Sequence, residues 1–129
     1  MEQPLLVTAA IIEKDDKFLL IKRAREPFEG KWCFVGGCGS FKKFKNPVEA
    51  VSAEVVADID CKFNPKFFMY NYENFETPSV ILYFSGNIEG MPNFNKKYVS
   101  EMEWFTKEEV LCMDLGFCHK DVFIKYVGN

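Results

Sequence analysis

Two carboxylates on one predicted helix are the residues of this sequence best placed to do chemistry. Glu54 and Asp58 lie four positions apart in a stretch with helical spacing of apolar residues. Side chains at this spacing project from the same helix face, so the two carboxylates could share one hard cation. The two residues are therefore candidate ligands of a divalent cation. The alternative is that they are two acids on a solvated helix face.

The helix that must position these acids is predicted from its start signals. Asn46 is a capping residue, Pro47 takes the first helical position, and Glu49 follows three residues after the cap. We expect the helix to run from Pro47 to Ile59 and to pack one apolar stripe on a sheet. The predicted stripe consists of Val48, Val51, Val55 and Ile59.

Glycines and lysines precede this helix and suggest a site for an anion. Gly36 and Gly37 follow a buried-looking strand end, and Lys42, Lys43 and Lys45 come before the helix N-terminus. Free N–H groups and the helix dipole attract anions, and nearby lysines strengthen that attraction. These five residues are candidates for substrate binding. A solvated lysine loop is the alternative reading of the three lysines.

The stretch from Trp32 to Cys61 resembles the signature of the Nudix hydrolases, G-x5-E-x7-R-E-U-x-E-E-x-G-U, where U is a bulky apolar residue. Its beginning, WCFVGG, is similar to the family's W-x-[LF]-P-G-G, with Val35 where proline is usual. With a slightly longer loop, Glu54 falls on the glutamate of the Arg-Glu pair and Asp58 on the second acid of the Glu-Glu pair. Four polar or glycine positions differ from the pattern, namely Lys45, Ala53, Ala57 and Asp60.

The resemblance implies a function, and these differences modify it. The family's arginine is thought to orient a catalytic glutamate, and Ala53 cannot donate that hydrogen bond. Ala57 removes one carboxylate, and Lys45 places a cation where the family has an acid. The resemblance thus implies hydrolysis of a nucleoside diphosphate linked to another moiety, with weakened or altered metal dependence. It also implies that Glu54 and Asp58 are catalytic residues that bind Mg²⁺ or Mn²⁺ weakly, where the cation neutralises phosphate charge and orients an attacking water. A non-catalytic nucleotide-binding or regulatory domain is the alternative, and a purely protein-interacting scaffold is a third.

Two further residues enter the candidate site through the resemblance. Arg23 begins a segment similar to the family's K-R-x-x-x-P-x-x-G-x-W, in a form that looks most like ADP-ribose pyrophosphatases, and we assign it to substrate binding. Glu101 lies in an E-x-x-W-[FV] pattern and is a candidate catalytic residue, with Glu103 beside it. More often an acid at such a position faces water. His119 has no acid or nucleophile at a telling spacing and is interpreted as structural.

The remaining patterns predict an α/β/α sandwich with a mixed, curved sheet, as the resemblance implies. Apolar runs at 5–12 and 17–23 flank a charged turn, and those at 63–72 and 79–88 flank a second one, so each pair should form an antiparallel hairpin. One or two exposed aromatics from the second pair could stack on a base. A strand at 101–105, a capping box at Thr106 and a helix after Gly116 complete the prediction.

Composition limits the classes of function. With 129 residues and 48% hydrophobic content we expect one domain over residues 1–129. A net charge of −3 gives no footprint for a nucleic acid polymer. The resemblance implies a small-molecule nucleotide diphosphate derivative as the partner, and a homodimer is a candidate assembly. Five cysteines without a C-x2-C pair indicate reduced thiols rather than zinc. We expect a cytoplasmic protein without membrane contact, since no signal peptide or membrane span is apparent.

Overall fold

The computed structural model describes residues 3–38 and 46–128. The strands are β1 Leu5–Lys14, β2 Lys17–Arg23, β3 Trp32–Cys33, β4 Val35–Gly37, β5 Lys62–Asn74, β6 Pro78–Glu89 and β7 Val99–Thr106. The helices are α1 Pro47–Ile59, α2 Lys107–Leu111 and α3 His119–Val127. Within the described residues, no helix is long and apolar enough to cross a membrane.

The strands form one mixed sheet in the order β3-β2-β1-β6-β5, with β4 added on β1 and β7 on β2. Strand β1 is antiparallel to β2 and parallel to β6, and β5 is antiparallel to β6. Both predicted hairpins are confirmed. The parallel pairing of β1 with β6 brings the start of the chain beside the second hairpin, so residues far apart in sequence meet at one end of the sheet.

Helices cover the two faces of this sheet and define two cores, as the α/β/α prediction requires. On one face Val51, Val55 and Ile59 of α1 are fully buried in a cluster that includes Phe84. On the other face Phe123 of α3 packs in a second cluster. The predicted orientation of α1 is therefore confirmed for three of its four apolar positions.

Val48 is the exception, because its side chain is 46% exposed. The packed face of α1 is rotated towards Ala50 and Asp58, both of which are buried, and Val48 lies in the first turn of the helix. The start of this helix is as predicted, with the Asn46 side chain accepting a 2.8 Å hydrogen bond from the backbone N–H of Val48. The capping box at Thr106 is also present, and α3 begins at His119.

Candidate functional site

Helix α1 and strand β4 bring together four of the predicted site residues. Gly37 lies directly against Glu54, since a Cβ atom added at Gly37 would stand 2.8 Å from Oε2 of Glu54. A Cβ added at Gly36 would collide with the backbone oxygen of Thr8. The glycine pair therefore lets α1 and β1 approach β4 closely. The backbone N–H of Gly36 donates a hydrogen bond to the carboxylate of Asp58.

Asp58 is only 6% exposed, which changes its protonation. Burial, and then the negative charge of Glu54, raise the pKa of Asp58 to about 7, although Arg23 and the N–H of Gly36 act in the opposite direction. The carboxyl group therefore takes up a proton at a higher pH than an exposed aspartate does. The alternative prediction of a solvated helix face is wrong for Asp58, because its side chain is buried.

Arg23 lies at the end of β2 and is held from two sides. Its Nε donates a 2.6 Å hydrogen bond to the carbonyl oxygen of Pro27. Its guanidinium carbon lies 5.1 Å from the centroid of the Phe117 ring, a distance at which a cation is attracted to the ring face. The guanidinium is thus fixed in orientation, and its positive charge acts on Asp58 and on His119.

Two adjoining cavities meet at Arg23. The smaller, of about 50 Å³, is lined by Arg23, Gly36, Gly37 and His119 among others. The larger, of about 210 Å³, shares Arg23, Gly37 and Phe117 with it and continues towards Glu73, Phe75 and Thr77. Arg23, Gly36 and Gly37 were all predicted to bind substrate, and all three line this double cavity.

Two phenylalanines, Phe75 and Phe117, line the larger cavity, and Phe28 packs against both of them. The Phe28 ring centroid lies 5.0 Å from that of Phe75 and 4.7 Å from that of Phe117, and Phe75 and Phe117 are 6.1 Å apart. The sequence predicted that one or two exposed aromatic residues of the second hairpin, which includes Tyr70 and Tyr72, stack on a nucleobase. Phe75 and Phe117 line the cavity instead.

Glu73 was missed by the sequence reasoning and anchors this aromatic side. The carboxylate, 3% exposed, accepts hydrogen bonds from the hydroxyl of Tyr83 at 2.5 Å and from the backbone N–H of Cys118 at 3.0 Å. Burial, and then this hydrogen bond to Glu73, raise the pKa of Tyr83, so the phenol stays protonated. Glu73 therefore fixes the residue that follows Phe117. The signal available in the sequence was an acidic residue at a strand position that faces the interior of the protein.

His119 is buried and neutral, in agreement with a structural interpretation. Its Nδ1 accepts a 3.1 Å hydrogen bond from the backbone N–H of Phe34. Burial, and then the charge of Arg23, lower the pKa of His119 to about 3. The imidazole therefore carries no charge at physiological pH and forms part of the wall of the smaller cavity.

The remaining predicted site residues are Glu101 and the three lysines before α1. Glu101 is exposed and forms a 2.8 Å ion pair with Lys22 of the neighbouring strand. Lys42, Lys43 and Lys45 lie outside the described residues. Across residues 3–38 and 46–128, no three His, Cys, Asp or Glu side chains lie close enough to hold a metal ion together.

The described residues alone are a weak donor set for a resident divalent metal ion. Mg²⁺ and Ca²⁺ take about six or more oxygen ligands, and Asp58 is buried and already accepts a backbone N–H. Among residues 3–38 and 46–128, Glu54 and Asp58 are not joined by a third such side chain. A Mg²⁺ ion that arrives with a diphosphate needs only one or two protein carboxylates, which this pair can supply.

The comparisons with known proteins identify the family. The model of the NUDIX domain matches residues 3–126, so the chain belongs to the Nudix family. No curated protein matches the chain in sequence.

Solved structures share the fold at low sequence identity. A MutT NUDIX hydrolase from Burkholderia pseudomallei is 23% identical, with a TM-score of 0.83 over 95% of this chain and 97% of that one. The NUDIX domain of Shewanella oneidensis NrtR, in complex with ADP ribose, is 18% identical, with a TM-score of 0.87 over 99% and 89%. A MutT protein from Methanosarcina mazei Go1 is 20% identical, with a TM-score of 0.82 over 99% and 96%.

Proposed function

We propose that the protein binds a nucleoside diphosphate linked to another moiety and hydrolyses the diphosphate slowly, with weakened dependence on a divalent metal. The double cavity centred on Arg23 carries this proposal, because it joins an aromatic compartment to the glycine pair beside Glu54. We further propose that residues 1–129 act as one domain, in the cytoplasm, as the sequence predicts.

The cavity suits the two chemically different parts of such a ligand. Aromatic rings such as those of Phe75 and Phe117 stack on nucleobases. A guanidinium has five N–H donors, and the hydrogen bonds of Arg23 to Pro27 and Cys33 leave terminal N–H groups that can pair with phosphate oxygens. The NrtR domain, which has this fold, is complexed with ADP ribose, a ligand of the proposed class.

Hydrolysis should be slow because few catalytic groups are in place. Glu54 is the remaining acid that is partly exposed beside the glycine pair, and Ala53 supplies no arginine to orient it. A catalytic group misplaced by about 1 Å can cost on the order of a hundredfold in rate. We propose Glu54 as the residue that still supports hydrolysis, and Asp58 mainly as its buried neighbour.

Binding without hydrolysis is the second candidate function, and the state of Asp58 favours it. Asp58 is buried and hydrogen-bonded to the backbone N–H of Gly36, so it joins α1 to β4 as a structural residue would, without any reaction. In that case the protein would recognise the same nucleotide class through the same cavity.

Calorimetry and a hydrolysis assay on the same samples separate these functions. We expect ADP-ribose to bind in EDTA as well as in Mg²⁺, and Arg23→Gln to weaken binding at least about tenfold, or 1.4 kcal/mol. Arg25→Gln is the matched control, because Arg25 packs on Tyr98 and is not among the residues that line the cavity. Hydrolysis that disappears in Glu54→Gln supports the first function, and binding with no hydrolysis supports the second. If a panel of nucleoside diphosphate derivatives neither binds nor reacts, both are wrong.

A further inference from the structure

Three neighbouring strands present apolar side chains on the α1 side of the sheet that remain exposed. In the strand register Leu6 is paired with Val80 and Val80 with Tyr72, while Leu82 is paired with Tyr70. Directly paired residues point to the same side of a sheet, and Phe84, which is paired with Phe67, belongs to the core under α1. We define the β5 face as Leu6, Phe67, Tyr70, Tyr72, Val80 and Leu82.

The exposed area of the β5 face is large for a small protein. Phe67, Tyr70 and Tyr72 are 52%, 67% and 60% exposed. Because an aromatic side chain presents about 150–250 Å², these three leave on the order of 300–400 Å² in contact with solvent. Exposed apolar patches of this size often mark a site of interaction with another protein surface.

The strand that carries most of this face also ends the sheet. Among the described strands, β5 pairs with β6 only and stands last in the strand order. Edge strands are normally protected by lysine or proline, and β5 has Lys62, Pro65 and Lys66 in its first half. The segment from Phe67 to Tyr72, FFMYNY, has no charge, proline or glycine. The second half of β5 therefore has an edge that can accept another strand.

We propose that the outer edge of β5 forms the interface of a symmetric dimer, in which the two β5 strands pair antiparallel near Tyr70 and continue the sheet. A two-fold axis places the same edge on both partners, and antiparallel pairing of identical strands satisfies the backbone groups of both edges at once. The paired segment carries no charge, so the net charge of −3 on each chain is not concentrated at the contact. The pairing also sets aromatic side chains of the two β5 strands side by side, which covers part of their exposed area.

The dimer leaves the nucleotide cavity accessible and does not depend on the proposed function. Leu5, Val7, Ser79 and Ile81 line the larger cavity. They alternate along β1 and β6 with Leu6, Val80 and Leu82, and successive strand residues point to opposite faces. The larger cavity therefore lies on the face of these strands opposite to the β5 face.

Sedimentation velocity across a range of protein concentrations tests this proposal. We expect a reversible dimer in the wild type and at least about tenfold weaker association in Tyr70→Lys and in Tyr72→Lys. Met91→Lys is the control, because Met91 is 86% exposed and lies outside the β5 face. Circular dichroism should show that all the variants fold, since each altered side chain is exposed.

Hydrogen exchange gives an independent readout of the pairing. Amides of residues 67–72 should gain protection as the wild-type concentration rises, and not in Tyr70→Lys. A wild type that stays monomeric at every concentration overturns the proposal, even if it captures a peptide from another protein. Open-ended aggregates without a discrete dimer, or equal disruption by Met91→Lys, overturn it as well.

Discussion

The two sides of the candidate site hold different kinds of polar group. On the aromatic side, the Glu73 carboxylate joins Tyr83 to the backbone of Cys118, and Arg23 is held by Pro27 and Phe117. On the α1 side, Glu54 and Asp58 are adjacent, and among the described residues no third metal-ligating side chain groups with them. Under the proposed function, the aromatic side binds the ligand and the α1 side supports only slow hydrolysis.

This comparison also separates binding from turnover. A binding cavity needs shape and satisfied hydrogen bonds, which a buried network supplies. Catalysis needs groups that interact more strongly with the transition state than with the bound substrate. The aromatic side meets the first requirement, and the α1 side meets the second only weakly.

The largest expected effect concerns the packing that holds the α1 side in place. Val55→Asp should lower the free energy of unfolding by about 3–5 kcal/mol, because it puts a charge into a fully buried position and removes apolar contacts. Val56→Asp is the matched control, since Val56 is the next residue and is exposed, and it should change stability by less than about 0.5 kcal/mol. Urea unfolding curves measure both. Equal effects of the two changes would mean that the orientation of α1 is wrong.

The second prediction tests the buried acid through pH. The pKa of Asp58 is raised from 3.8 to about 7 on folding, so its contribution to stability is present below pH 3.8 and is lost as the pH rises through 7. The pKa of His119 is lowered from 6.5 to about 3, so its contribution is present above pH 6.5 and is lost as the pH falls towards 3. In the wild type, Asp58 and His119 therefore change the folding stability in opposite directions as the pH rises.

Asp58→Asn removes the part of the pH dependence of folding stability that comes from Asp58. Because one pKa unit corresponds to about 1.4 kcal/mol, the stability of the variant relative to the wild type should grow by about 2–4 kcal/mol from pH 4 to pH 8. Chemical unfolding in EDTA at several pH values measures this difference. A difference that is constant with pH would show that Asp58 titrates as an exposed acid.

A third prediction concerns the anchor on the aromatic side. Glu73→Ala leaves the buried Tyr83 hydroxyl and the Cys118 N–H without their acceptor, and should cost about 1–3 kcal/mol of stability. Nucleotide affinity should fall about tenfold, or 1.4 kcal/mol, as the position of Phe117 relaxes. Glu73→Gln should retain most affinity, because its amide oxygen can accept from Cys118 and its NH₂ can donate to Tyr83.

Glu89→Ala is the control for this experiment, since it removes an exposed acid of the adjoining strand that pairs with Lys62. Calorimetric titration with ADP-ribose compares the four proteins. If Glu73→Ala binds as tightly as the wild type, Glu73 does not position the aromatic side of the cavity.

The smallest predicted effect tests whether the α1 side can be completed. Ala53→Arg with Ala57→Glu adds an orienting donor and a third carboxylate at positions of α1 that are not buried. Hydrolysis of a nucleoside diphosphate derivative should rise at least about tenfold, because each tenfold gain needs about 1.4 kcal/mol off the barrier. The gain should depend on Mg²⁺ or Mn²⁺. If the folded variant binds metal and nucleotide yet remains inactive, the non-catalytic function should replace slow hydrolysis.

Local patterns were sufficient to predict α1 and most of the sheet. The Asn46 cap, the proline after it and the spacing of Val51, Val55 and Ile59 act within a few residues, and their consequences are fixed by backbone hydrogen bonds and helix geometry. The alternation and turn residues of the two hairpins act over a similar range. For this reason the helix bounds and both hairpins were predicted correctly.

Tertiary structure alone decided the chemistry of the site. Burial of Asp58 depends on the closeness of β4 to α1, and the anchoring role of Glu73 depends on Tyr83 and on the turn before α3, 45 residues away along the chain. The exposure of Val48 and of Tyr70 depends on how much of the sheet α1 covers. The spacing of apolar residues along the sequence does not determine this. Desolvation and electrostatic effects on a pKa arise from whatever surrounds a group in space, so spacing along the sequence could nominate Glu54, Asp58 and Arg23 but could not establish their states.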